Sequence, residues 1–188
     1  MLAVLLAVSG AARAAEPFPA GLYKLDPLHS RIAWSVSHLG FSIYRGLIPS
    51  VQGSLRIDPA DPAASRLNAY VAMAGLSSLD PALDTRLRGP QFFATGRYPV
   101  AAYHADGLTM TGPHTARLDG TLTLVGVTHR LAMNVRFERA GRDPVTGKLT
   151  LGFEGTATLQ RSRYGIVAYT PLVGNDVALE LEAEFVLQ

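Results

Sequence analysis

Two alternating runs of apolar and polar residues meet at a glycine in residues 118–137, Leu-Asp-Gly-Thr-Leu-Thr-Leu-Val-Gly-Val-Thr-His-Arg-Leu-Ala-Met-Asn-Val-Arg-Phe. Leu118, Leu122 and Leu124 share one face of the first run. Leu131, Met133, Val135 and Phe137 share one face of the second, with Asn134, Arg136 and Glu138 opposite. Strict alternation is the mark of a half-buried strand, since successive side chains point to opposite faces. The join predicts a two-residue hairpin with Gly126-Val127 at its centre, in a type II′ turn that takes Gly first. A chain built on such a hairpin is an antiparallel β protein with one apolar and one wet face.

The same period recurs along the chain. Strands are expected at Leu22–Asp26, Arg31–His38, Val51–Ile57, Arg66–Gly75, Val100–Met110, Thr115–Val125 and Lys148–Gln160. The last, Asp176–Gln188, sets Val177, Leu179, Leu181, Ala183, Phe185 and Leu187 against Glu180, Glu182 and Glu184. Asp143-Pro144-Val145-Thr146-Gly147 is a turn signal. Gly107, Gly120 and Gly155 fall inside strand patterns, and Gly107 and Gly120 read as bulges or bends that curve a sheet. Residues 81–95 break the period: Leu83 and Leu87 have helical spacing, and Asp80 before Pro81 is a helix cap with Pro at the first position. A short helix is expected there.

About eight long strands, each with one apolar face, must stack as a sandwich or close into a barrel. The in-strand glycines favour curvature and a barrel. The outward Glu180, Glu182 and Glu184 exclude a membrane barrel, whose outer face meets lipid.

Composition narrows the function classes. Met1–Val8 is an apolar run followed by small residues, with Ala12 and Ala14 offering a cleavage site before Ala15. This predicts a signal peptide over 1–14, a single domain over 15–188, and a periplasmic or secreted protein. The run is shorter than the ~20 residues that span a bilayer, so an integral membrane protein is not expected. Cysteine is absent, which removes disulfides and thiolate metal sites. The formal charge is only +2, with no run of Lys or Arg, and nucleic-acid binding needs a basic stripe.

Tyr23-x-Leu25-Asp26-x-x-His29-Ser30, His38-Leu39-Gly40 with Gly46, Phe92-Phe93 with Tyr98-Pro99, Gly120-x-Leu122-Thr123-x-x-Gly126-Val127-Thr128, Asp143-Pro144-x-x-Gly147, Gly152-Phe153 and Arg161-Ser162-x-Tyr164-Gly165 stand in order along the chain. Together these motifs resemble the YceI-like family of lipid- or polyisoprenoid-binding proteins. The resemblance implies an extended, lipocalin-like antiparallel β-barrel whose long apolar chamber takes a polyisoprenoid or an isoprenoid quinone. The family usually carries Arg-Asp-x-His-Leu before its Phe-Phe pair. Here Leu83 and Arg86 stand in place of the Arg and His, while Asp84 and Leu87 remain. That difference points to a changed head-group preference.

The expected apolar lining is Trp34, Val36, His38, Phe41, Ile43, Phe92, Phe93, Leu122, Leu124, Met133, Val135, Phe153 and Leu179. Head-group contacts are expected from His38, Asp84, Arg86 and Arg161. Arg161 and Arg163 read alternatively as rim salt bridges. The histidines show no metal-like spacing, and His29-Ser30 lies outside any nucleophile-elbow context, so neither a metal site nor a catalytic site is expected. The partner is an apolar lipid, with a homodimer possible, and no cofactor beyond a bound isoprenoid lipid or quinone is required. Two alternatives stay open: an enzyme of the same barrel class using His38 with an Arg or Asp at its mouth, and a structural module with a filled core.

Overall fold

The computed structural model describes residues 18–188, so the signal-peptide reading of 1–14 lies outside the described residues. The strands are β1 (Gly21–Leu25), β2 (Arg31–His38), β3 (Ser42–Ile48), β4 (Gln52–Ile57), β5 (Arg66–Ala72), β6 (Val100–Asp106), β7 (Thr109–Met110), β8 (Thr115–Leu124), β9 (Val127–Arg142), β10 (Leu149–Gln160) and β11 (Val173–Leu187). One α-helix, α1 (Pro81–Arg88), sits between β5 and β6.

All pairings are antiparallel, and the sheet closes on itself because β11 is paired along both edges. One edge takes β10. The other takes two short strands in succession: β1 at Tyr23↔Leu187 and Leu25↔Phe185, then β2 at Leu181↔Ile32, Leu179↔Trp34 and Val177↔Val36. β3 continues into β4 in the same way on the next position. The result is a closed, eight-stave barrel, the antiparallel architecture expected from the alternation.

The break between β1 and β2 is sealed by a side chain. Ser30 is fully buried. Its hydroxyl accepts from Glu184 N at 3.0 Å, while Asp26 N donates to Glu184 O at 2.8 Å. A buried backbone N–H left without a partner costs ~1–3 kcal/mol, so the hydroxyl stands in for a ladder bond at the bend.

Three local expectations are corrected. The β8–β9 turn centres on Val125-Gly126, with Leu124 paired to Val127. Both central residues have positive φ, 51° and 75°, which is the type I′ pattern rather than II′. Gly107 ends β6 instead of bending a longer strand: its φ is 91°, and a Cβ there would meet Ala63 O at 2.6 Å. Gly120 carries no bulge, since β8 keeps its register on both sides. Its missing side chain seats the Tyr103 ring, which a Cβ would meet at 2.4 Å. Register shifts lie instead between Gly152 and Phe153 and between Val173 and Val177.

The α1 cap is as expected: Asp80 accepts from Ala82 N at 2.8 Å and Leu83 N at 3.3 Å. The turn at 143–147 forms likewise, with Asp143 accepting from Val145 N and Thr146 N. Strand β3 has no counterpart in the sequence pattern, because most of it is exposed on both faces. Beyond Leu47, which exchanges backbone bonds with Ser77, its outer edge finds no strand among the described residues. Turns and helix from 73 to 99 complete the wall there.

Candidate functional site

Inward-facing residues of the staves leave two apolar chambers in line. One, at the end where β1 meets the tail of β11, has a volume of about 150 Å³. Leu55, Leu67, Leu118, Met133, Phe153 and Phe185 are among its walls. The other, toward α1, measures about 160 Å³ and is walled by Trp34, Val36, Met73, Phe92, Phe93 and Leu124 among others. Ile32, Val71, Ala101, Leu122 and Leu179 border both, so these five form a waist. A dry void of about 150 Å³ with Leu, Ile and Phe walls holds a benzene-sized ring. Two such voids in series suit a slender chain better than a bulky rigid molecule.

Glycine keeps the first chamber open. A Cβ on Gly155 would come within 3.2 Å of Met133 Sδ. Tyr103 also faces this chamber; its hydroxyl donates to Leu131 O at 3.1 Å, and burial pushes its pKa up to about 12. It is a neutral donor already satisfied, not an acid.

The second chamber has two polar groups at its wall. Trp34 Nε1 is buried and makes no hydrogen bond among the described residues. Arg161 is buried and donates from all of its N–H groups: Nε to Gly174 O (2.7 Å), Nη1 to Ile166 O and Ala168 O (both 2.9 Å), Nη2 to Thr170 Oγ1 and Val173 O (both 2.8 Å). It pairs with no carboxylate among the described residues. Burial lowers its pKa, yet a guanidinium keeps its charge in proteins. Five oxygen dipoles take the place of a counter-ion, so the rim salt bridge is not what forms. Arg161 ties down the 165–175 loop, and that loop lays Tyr169 over Phe92, ring centroids 6.2 Å apart.

Ten of the expected lining residues therefore meet at the chambers: Trp34, Val36, Phe92, Phe93, Leu122, Leu124 and Leu179 around the second, Met133, Val135 and Phe153 around the first, with Leu122 and Leu179 shared. Three do not. Ile43 lies opposite Ser37 in the β2–β3 ladder, and directly paired residues share a face, so it points outward. Phe41 sits in the hairpin tip and is 91% exposed. His38 has inward parity but lies past the end of the chamber, edge-on to Tyr44 at 4.7 Å.

Of the polar candidates, Asp84 is buried and accepts from Ser78 N (2.5 Å) and Ser78 Oγ (2.6 Å). Those bonds hold its carboxyl below the usual range and fix α1 to the preceding turn. Arg86 is exposed on α1. Neither borders a chamber. Sequence reasoning did not name Met73 or Ile166 as lining: Met73 continues the alternation of Leu67, Ala69 and Val71 but begins a 3-10 turn past the end of β5, and Ile166 lies in a loop that no alternation marks.

His29, Asp26 and Glu184 cluster on the outside. His29 Nδ1 is 2.9 Å from Asp26 Oδ2 and 3.9 Å from Glu184 Oε2. The hydrogen bond that His29 donates to Asp26 raises the His29 pKa and lowers that of Asp26. Ser30, next in sequence, is committed to Glu184 backbone, so His29 and Ser30 do not form a nucleophile–base pair.

A closed antiparallel barrel with charges outside and apolar chambers inside is the architecture of proteins that enclose small apolar molecules. The chain belongs to the YceI-like family, whose model matches residues 23–185. It is 33% identical over 167 residues to a UPF0312 protein of Pseudomonas putida (strain W619), covering 88% of this chain and 83% of that one. Among solved structures it is similar to BcnA of Burkholderia cenocepacia, with a TM-score of 0.77 at 18% identity over 85% of this chain and 98% of that one. It is also similar to a polyisoprenoid-binding domain from Saccharophagus degradans, with a TM-score of 0.68 at 14% identity over 88% and 98%. No helix among the described residues is long and apolar enough to cross a membrane.

Proposed function

We propose that this protein is an exported carrier that holds an isoprenoid-type lipid inside its barrel, with the chain lying through the waist and a carbonyl-bearing head, as in an isoprenoid quinone, beside Trp34. The two apolar chambers in line carry this reading. Each Å² of ligand hydrocarbon they cover contributes ~25 cal/mol, which is enough to hold a molecule that water rejects. The buried, unpartnered Trp34 Nε1 supports a head group with an acceptor oxygen. The polyisoprenoid-binding function of the Saccharophagus degradans domain agrees with this ligand class.

Trp34 is the sole tryptophan, so the test reports from the site. Titration with a short-chain isoprenoid quinone should quench its fluorescence saturably, and native mass spectrometry should show one ligand per chain. Met133→Trp, in a Trp34→Phe background, should fill the first chamber and reduce uptake of long-chain ligands while the fold survives. Unquenched Trp34, together with unchanged uptake by the filled variant, would refute an internal site.

A further inference from the structure

The α1 end of the barrel carries a second surface that the internal site does not use. The β2–β3 hairpin tip and the Arg161-bound loop meet there, with Leu39 N donating to Leu172 O at 2.7 Å. Their apolar side chains point outward: Leu39, Phe41, Ile43, Val167, Tyr169 and Leu172 are all exposed, Phe41 at 91% and Leu172 at 60%. Scattered exposed apolar residues are ordinary, but adjacent large ones on a single end mark a contact surface.

The charges around this rim are one-sided. Arg45, Arg86, Arg97, Arg130 and Arg163 are exposed, and none pairs with a carboxylate among the described residues. Among the described residues the exposed acids at this end are Asp80 and Asp176, and Asp80 is engaged in capping α1. The acidic side chains gather elsewhere, on the outer face around Glu138, Glu154, Glu182 and Glu184. Tyr169, on the rim, stacks on Phe92, which walls the second chamber, so the rim is continuous with the cover of the site.

We propose that this end docks on an anionic phospholipid bilayer, with Phe41 and Leu172 entering the interface and the arginines meeting the head groups. Apolar insertion flanked by basic residues is how soluble proteins hold an anionic membrane reversibly. The proposal rests on the carrier reading for its purpose, since the loading end then faces the lipid source, but it is tested separately.

The experiment is flotation of the protein with vesicles of phosphatidylethanolamine and phosphatidylglycerol, against vesicles of phosphatidylcholine alone. The protein should float with the anionic vesicles, less so at high salt, and poorly with the neutral ones. Phe41→Ser with Leu172→Ser, and separately Arg45→Glu with Arg163→Glu, should each lower vesicle binding at least about tenfold. Neither pair borders a chamber, so quenching of Trp34 by quinone in solution should be unchanged, which also shows that the variants fold. Equal flotation with neutral vesicles, or parental flotation by both variants, overturns docking. A Phe41-dependent dimer in sedimentation without flotation overturns it as well, making the rim a contact between copies. Flotation without quenching sustains docking and removes the carrier reading; quenching without flotation does the reverse.

Discussion

Replacing Arg161 with Met tests whether a buried guanidinium, rather than apolar packing, holds the loop that covers the second chamber. The change strands four backbone carbonyls and the Thr170 hydroxyl. Hydrogen bonds to a charged group contribute ~1.5–3 kcal/mol each, but the full set is not lost. The loop opens and its carbonyls turn to water before that cost is reached, and the variant is spared the desolvation of a charge. The net effect should be about 3–5 kcal/mol, the range seen when one side of a buried charged network is removed. At about 2–4 °C per kcal/mol for a protein of this size, the Tm should fall by about 6–20 °C. Limited proteolysis should gain a cut within 165–172, and quinone should dissociate faster as Tyr169 leaves Phe92. Arg161→Lys keeps the charge but offers three donors from one nitrogen, which cannot meet oxygens spread around a planar fork. It should be nearly as destabilised as Met. An Arg161→Lys protein with parental Tm and an intact loop would show that charge alone suffices and would refute the argument.

Two further predictions follow from the barrel wall. Gly120→Ala should force the Tyr103 ring from its seat and break its bond to Leu131 O; the lost buried hydrogen bond and strain should cost about 2–4 kcal/mol in urea denaturation, and a cost under about 0.5 kcal/mol would mean the ring relocates freely. The Asp26–His29 pair should make stability depend on pH: His29 is raised and Asp26 lowered in the folded protein, so the His29 contribution is present below about pH 6.5 and fades as pH rises through its folded pKa, while that of Asp26 fades in acid. The Tm difference between parent and His29→Gln should therefore shrink between about pH 6 and about pH 8; a constant difference would assign the turn to backbone bonds alone.

The elements most legible in the sequence were those with one wet and one dry face. The β11 alternation, with its glutamate row, places Leu179 inward without knowledge of register, and the Asp80-Pro81 cap locates the start of α1, which ends at Arg88 instead of running toward 95. What was illegible lacked that contrast. β3 has no dry face along most of its length, so no period marks it, and only the register of the β2–β3 ladder turns Ile43 outward and leaves Phe41 in the tip. Gly120 was visible as an anomaly, but its role depends on Tyr103 arriving from a neighbouring strand. Arg161 was singled out by its motif, yet its partners are mostly carbonyls, which every residue carries, so nothing in the residue types could reveal the network.

The shared edge of β11 also sets the order in which this barrel can form. Tyr23 pairs with Leu187, so the first strand closes on the last. Pairings that join opposite ends of a chain raise contact order and slow folding, because the intervening loop must be closed before the contacts return anything. β1 and β2 have no complete partner until β11 exists, and Ser30 has no Glu184 backbone to seal. The barrel is thus a structure that finishes only when the whole chain is present, and its early strands stay open until then. Such a chain stays unpaired along one edge of its leading end until its last strand has been made.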